Sequence, residues 1–174
     1  MSKKETLKRY LLFVISLFFS ALGVALTKTA WLGISPISSF PNVISMKVTA
    51  ISMGTWVFLW CCALLLGQIL ILRKDFKPVQ LLQLPLSFIF GNFIDLCVSF
   101  VSSVTVDSYP MKIVFVILGV IVLAFGVSLV VTANVIMNSG EAFVKAVADK
   151  TGKNFGTVKT IFDVGCVTIQ LSRR

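Results

Sequence analysis

The sequence predicts an all-α fold: a polytopic transmembrane helix bundle of five spans, arranged as an inverted 3+3 repeat that lacks its sixth helix. Hydrophobic residues make up 57% of the 174 residues and charged residues only 13%, with a mean hydropathy of +0.97. Soluble domains hold about 25% charged residues. The composition therefore excludes an ordinary soluble, disordered or fibrous protein, and predicts one membrane domain over residues 1–174.

Five apolar runs are the predicted spans. A bilayer needs about 20 apolar residues per helix, and most of these runs come close to that length. A basic N-terminus before the first run also fits a signal peptide, but the length of the run and the further spans favour an uncleaved helix. The runs cover residues 10–26, 54–72, 81–106, 113–137 and 155–171.

Basic residues predict the orientation. The chain has 16 Lys and Arg against 7 Asp and Glu, a net charge of +9. With the N-terminus inside, the cytoplasmic segments hold eleven basic residues, whereas the outer loops hold only Lys28, Lys47 and Lys112. Cytoplasmic loops of membrane proteins concentrate Lys and Arg. We therefore expect a multi-pass protein of the bacterial cytoplasmic membrane with a cytoplasmic N-terminus. The lipid bilayer, not nucleic acid, is its expected partner.

An internal repeat is visible in two ten-residue segments, ALGVALTKTA at 21–30 and AFGVSLVVTA at 124–133, which are identical at six positions. In the same register Phe40 aligns with Phe143, and both following connections end in Gly-Thr. Chance matching of common apolar residues is the alternative explanation. Together the matches favour a true repeat.

The number of spans in each repeat determines how the two repeats are oriented in the membrane. The first repeat covers about residues 10–106 and holds three spans, so the second repeat, at about 113–171, enters the membrane from the opposite side. Inverted repeats of this kind are common in secondary transporters. A sixth span pairing with the third is expected but absent, so the chain is either truncated or works with five spans.

Two intramembrane carboxylates are candidate solute-binding groups. Asp95 lies past the middle of the third span, where a carboxylate costs about 2.5–3.5 kcal/mol. Asn92 and Ser99 share its helical face, and Asp163 lies inside the fifth span. A solute or proton site and a simple interhelical hydrogen bond both explain Asp95.

The two connections between spans carry the remaining candidates. Ser35 before Pro36 is typical of a helix start, and Pro41 predicts that this helix is broken or re-entrant. Asn138 and Glu141 have the spacing of a capping box. The N-terminus of such a half-helix can hold an anionic group, but an amphipathic helix lying in the membrane interface is the alternative.

Several kinds of chemistry are not expected. The chain has no histidine, and its four cysteines lie in apolar runs without metal-binding spacing. No paired catalytic groups or hydrolase motifs occur. We expect no catalytic residues, no metal and no cofactor, and therefore not an enzyme.

Four segments resemble the uncharacterised bacterial YczE/YyaS/YitT-type family of multipass membrane proteins. They are the G-x-A-L motif at 23–26, LGISP at Leu32–Pro36, LLQLPLSFIFGNFIDL at 81–96 and TGKNFGTVKTIFDV at 151–164. The resemblance implies a small permease-like protein, or one accessory to secretion or secondary-metabolite production. Members of that family continue through a further helix.

Two functions therefore remain open. The repeat, the interrupted connections and Asp95 favour a transporter or permease for a small solute. The small size and the lack of large soluble domains fit a non-transporting accessory or scaffold protein. The expected partners are a small solute in the first case and other proteins in the second. A second copy of this chain is a further candidate partner.

Overall fold

The computed structural model describes residues 3–104 and 106–171, and within them it is all-helical, as predicted. Two 3-10 turns, Arg73–Asp75 and Pro78–Leu82, separate the third and fourth helices. The α-helices of the described part are α1 (Lys3–Thr29), α2 (Pro36–Lys47), α3 (Met53–Leu72), α4 (Gln83–Val101), α5 (Tyr109–Ala133), α6 (Ser139–Thr151) and α7 (Phe155–Leu171).

Four segments of the described chain are long and apolar enough to cross a membrane. This confirms the class of protein, because apolar side chains remain exposed along these helices and lipid is the solvent that would cover them. The predicted fifth span is α7, which has 17 residues, and it stays a prediction. The four segments are Leu7–Thr29, Met53–Asp75, Pro78–Val101 and Tyr109–Ala133.

The boundaries differ from the predicted ones at the third and fourth spans, which are α4 and α5. α4 ends at Val101, before the expected end at 106, and α5 begins at Tyr109 instead of 113. Ser108 caps α5 because its hydroxyl accepts a hydrogen bond from the Met111 amide at 3.4 Å. Pro110 also lies in the first turn, where its missing N–H costs nothing. These local signals start the helix one turn early.

The helices form two compact units. The first unit contains α1, α5 and the C-terminal part of α4, and α1 packs against α5 in the antiparallel direction. A Cβ placed on Gly23 would lie 2.7 Å from the Leu123 Cβ, and one on Gly126 would lie 2.7 Å from the Ser20 backbone nitrogen. Such distances leave no room for a side chain, so these glycines bring the two helices into backbone contact.

Aromatic rings complete the first unit. Phe19 of α1 packs edge-to-face on Phe125 of α5, with the ring centroids 5.1 Å apart. Phe18 makes the same kind of contact with Phe93 of α4 at 5.6 Å. The two rings follow each other in sequence and point to different neighbours, so α1 contacts both α4 and α5 through them.

The second unit contains α2, α3, α6, α7 and the N-terminal part of α4. Each of the short helices α2 and α6 packs against both α3 and α7. Phe40 of α2 lies on Trp60 of α3, with ring centroids 4.5 Å apart. The ring of Phe143 in α6 occupies the space beside Gly67 of α3, where a Cβ would meet it at 2.7 Å. Aromatic side chains of both short helices thus pack on the same long helix.

The prediction that Pro41 breaks the first connection is wrong. α2 runs without interruption from Pro36 to Lys47, with Pro41 inside it. A proline in a helix removes one backbone hydrogen bond, here to the carbonyl of Ile37. Pro41 is among the most deeply buried side chains of the described chain, and its packing offsets that loss.

The second short helix begins where the sequence predicts. Asn138 is the N-cap of α6, and its side chain accepts a hydrogen bond from the Ser139 amide at 2.9 Å. Gly152 ends the helix with a φ of 67°, a left-handed conformation that glycine adopts without strain.

Candidate functional site

A buried cluster of amide and hydroxyl groups lies where α3, α4 and α6 meet. Gln68 Nε2 of α3 donates to Gln83 Oε1 of α4 at 3.2 Å and to the Ser139 carbonyl of α6 at 3.1 Å. Gln83 Nε2 donates back to Gln68 Oε1 at 3.4 Å. The exposed fractions of these three side chains are 0%, 3% and 1%. Polar groups buried this deeply are tolerated because they satisfy one another.

Two further side chains extend the cluster. The hydroxyls of Ser87 in α4 and Ser139 in α6 lie 3.2 Å apart and share a hydrogen bond. The Cys61 thiol of α3 hydrogen-bonds with both of them. The cluster therefore connects three helices through five side chains, which we call the amide cluster: Cys61, Gln68, Gln83, Ser87 and Ser139.

A cavity of about 510 Å³ adjoins this cluster inside the second unit, and Gln83 belongs to both. Its volume is within the range of about 300–1,000 Å³ that is usual for small-molecule sites. The cavity is formed by the end of α3, the two 3-10 turns, the start of α4 and one face of α6. The lining residues are Leu72, Asp75, Lys77, Val79, Gln80, Gln83, Ile136, Met137, Ala142, Lys145, Ala146, Asp149 and Lys150.

The cavity changes from apolar to charged along α6. Ala142, Ala146 and Lys150 are spaced by four residues and lie on one face of the helix. The two alanines belong to the buried half of α6, whereas Lys150 is exposed. Lys145 and Asp149 are also more than half exposed and form an ion pair at 3.4 Å. The inner part of the cavity is therefore apolar with buried amides, and its mouth carries charges.

The structure places the sequence-predicted carboxylates outside this cavity. Asp95 is half-buried on α4 in the first unit, where it interacts electrostatically with Lys28 of α1. Asn92 and Ser99 share its helix and are exposed. Asp163 of α7, in the second unit, forms an ion pair with Lys159 one turn earlier, at 2.6 Å.

The candidates of the two connections lie at the starts of the short helices. Pro36 is the first residue of α2, directly after Ser35, as predicted. Glu141 is half-buried in the first turn of α6. The hydrogen bond that caps α6 joins the Asn138 side chain to the Ser139 amide, not to the amide at Glu141. The predicted site residues are thus divided between the two units. The amide cluster is instead centred on Gln68 and Gln83, which are not among the predicted site residues and lie near the end of α3 and at the start of α4.

Comparisons with known proteins give one family. The family described as a family of unknown function, DUF6198, matches residues 7–172. No curated protein and no solved structure matches the chain. The match covers nearly the whole chain and confirms the prediction that its family is uncharacterised. The resemblance to the YczE/YyaS/YitT-type family stays a prediction.

Proposed function

We propose that this chain, which belongs to DUF6198, a family of unknown function, is a permease-like protein of the bacterial cytoplasmic membrane that moves a small solute. The cavity of the second unit is then one end of the solute's path. The observation that carries the proposal is the position of Gln83, which lines the cavity and is held by Gln68 in the buried amide cluster.

The chemistry of this arrangement favours a solute site over simple packing. Most pockets that hold small molecules have apolar walls and a few fixed polar groups that orient the ligand. The inner walls here are apolar, and the amide of Gln83 is fixed by its two hydrogen bonds with Gln68. A scaffold protein needs helices that pack, but it does not need a cavity that ends on oriented amides.

An inverted repeat is the second part of the proposal, and the contacts of the first unit support it. Gly23 faces Leu123 and Gly119, whereas Gly126 faces Ser20 and Ser16. In the register of the repeat, Gly23 aligns with Gly126, Leu123 with Ser20, and Gly119 with Ser16. Such reciprocal contacts between antiparallel helices are expected of a two-fold axis perpendicular to them, which for membrane-spanning helices lies in the plane of the bilayer.

The second unit supports the repeat independently. α2 and α6 begin at Pro36 and Ser139, with the same offset as the glycine pair. α3 and α7 begin at Met53 and Phe155, with one residue less, as expected from the difference in length between the connections. α2 also packs on α7 as α6 packs on α3. On this proposal α7 is the fifth span. The excess of Lys and Arg in the segments expected to be cytoplasmic then predicts that the mouth of the cavity, with Lys77, faces the cytoplasm.

Transport by the purified full chain tests the proposal. Proteoliposomes would be supplied with a defined panel of organic acids, amines, amino acids and sugars, and flux would be recorded for each. Val79 lines the cavity and is 61% exposed, so Val79→Trp should fill the cavity without disturbing the fold. Val131 of α5 is 70% exposed and lies outside the cavity, and Val131→Trp is its matched control.

We expect flux for at least one class of solute, lost in Val79→Trp and kept in Val131→Trp. Flux that Val79→Trp leaves unchanged would exclude the cavity as the path. A protein that inserts normally and moves no member of the panel would overturn transport and favour the accessory role.

A further inference from the structure

We propose that the solute of this cavity is a small amphipathic organic monoanion, with one carboxylate at the charged mouth and an apolar body against the inner walls. This inference rests on the proposed function, because it names the class of solute that the same cavity would take. It follows from the balance of charge in the lining and from where the charges lie.

The lining carries one unit of positive charge. It contains three lysines and two aspartates. Lys145 is paired with Asp149 at 3.4 Å, which leaves Lys77 and Lys150 against Asp75. Among the described residues, none of these three forms an ion pair within 4 Å. A ligand with one negative charge neutralises this set, whereas a polyvalent anion such as a nucleotide carries more charge than the lining balances.

The inner walls select for an apolar body. Leu72 and Ile136 are half-buried, Ala142 and Ala146 are buried, and all four line the cavity. Gln80 and Gln83 are the only uncharged polar side chains among its lining residues. A sugar needs many hydrogen-bonding partners and would leave most of its hydroxyls unsatisfied against these walls. A carboxylate without an apolar body would gain the charge interaction alone.

The positions of the charges orient the ligand. Lys150 is exposed near the C-terminal end of α6, whereas Gln83, a member of the amide cluster, is 3% exposed. A carboxylate beside Lys150 and Lys77 keeps contact with water and avoids the desolvation cost of a buried charge. The apolar body then lies deeper, where it leaves water. An amine in the same pose would place its positive charge beside the lysines.

Binding of three matched probes to the purified full chain tests this class. Phenylacetate has both the phenyl body and the carboxylate, phenylethylammonium has the same ring with the opposite charge, and acetate has the carboxylate alone. We expect phenylacetate to bind at least about tenfold more tightly than either of the others. Val79→Trp should abolish this binding, and Val131→Trp should keep it.

Charge variants test the role of the mouth. Lys77→Gln and Lys150→Gln should each weaken phenylacetate binding about three- to tenfold, and Asp75→Asn should tighten it. Lys74 lies in the same 3-10 turn as Asp75 but does not line the cavity. Lys74→Gln is therefore the matched control and should change the affinity less than twofold.

The outcomes separate this inference from the proposed function. If phenylethylammonium binds as tightly as phenylacetate, or Lys74→Gln weakens binding as much as Lys150→Gln, the class is wrong. If no probe binds while liposome flux still depends on Val79, the proposed anionic class of ligand is wrong and the proposed transport function is retained. If phenylacetate binds as expected but no solute is moved, the class of ligand stands and transport falls.

Discussion

Gln68 and Gln83 exchange two hydrogen bonds through their side-chain amides, with donor–acceptor distances of 3.2 and 3.4 Å. The two residues lie on either side of the loop between α3 and α4, only fifteen positions apart in sequence. Gln68 also donates to the carbonyl of Ser139, so one side chain holds the ends of two long helices and the start of a short one. This pairing closes the inner end of the cavity.

The first prediction concerns the stability of this pair. Gln68→Leu leaves the buried amide of Gln83 without its partner, and an unsatisfied buried polar group costs about 1–3 kcal/mol. The free energy of unfolding, measured by denaturant or heat in detergent, should fall by that amount. A leucine variant as stable as the wild type would contradict the role of the pair.

The double variant Gln68→Leu/Gln83→Leu is the control for that measurement. Replacing both partners with apolar side chains of similar size removes the orphaned amide of Gln83 together with its partner. The double variant should therefore lose less stability than the sum of the two single variants. Strictly additive losses would mean that the two amides do not act on each other.

The second prediction concerns the crossing of α1 and α5. Gly126→Ala places a methyl group 2.5 Å from the Ser20 hydroxyl and 2.7 Å from its backbone nitrogen. A backbone atom cannot turn away, so the helices must separate. We expect a loss of about 1–3 kcal/mol in the free energy of unfolding, as for other overpacked sites.

Gly165 of α7 provides the matched control, because a Cβ there meets no atom within 4 Å. Gly165→Ala should leave stability unchanged or raise it by up to about 1 kcal/mol, since alanine favours the helix more than glycine does. Equal losses at both glycines would show that the crossing is not the cause.

These elements show what the sequence can and cannot predict. The helix starts at Pro36 and Ser139 and the end at Gly152 are local: a cap, a fixed φ or a left-handed residue decides them. The outcome at Pro41 depends on burial against other helices, which no local pattern contains. The amide cluster joins Gln68 to a residue 71 positions away in sequence. The hydropathy pattern does not indicate which residues so far apart in sequence come into contact.

The third prediction is the orientation in the membrane. Tyr109 begins α5 and is 65% exposed, and the basic bias places it outside. In a variant with all four native cysteines replaced, Tyr109→Cys should react with a membrane-impermeant maleimide added to intact cells. Lys74→Cys should react only after the membrane is opened. The reverse pattern would invert the topology and place the mouth of the cavity outside.

The last prediction concerns Asp95, which interacts electrostatically with Lys28 in the first unit. A charged side chain in a transmembrane segment costs about 2.5–3.5 kcal/mol unless it is paired or functional. If Asp95 serves transport, Asp95→Asn should reduce flux at least about tenfold while abundance in the membrane stays near normal. Asp107 is exposed in the loop before α5, so Asp107→Asn is the matched control and should leave flux unchanged.

A second variant separates transport from simple pairing. Asp95→Asn leaves Lys28 without its counter-charge, and Lys28→Gln/Asp95→Asn removes both charges while keeping two side chains that hydrogen-bond. If the pair only stabilises the first unit, the double variant should recover both abundance and flux. If the carboxylate itself acts in transport, the double variant should keep near-normal abundance and remain inactive. Full activity of the single Asp95→Asn variant would exclude Asp95 from the path, because asparagine keeps the size of the side chain and loses only its charge.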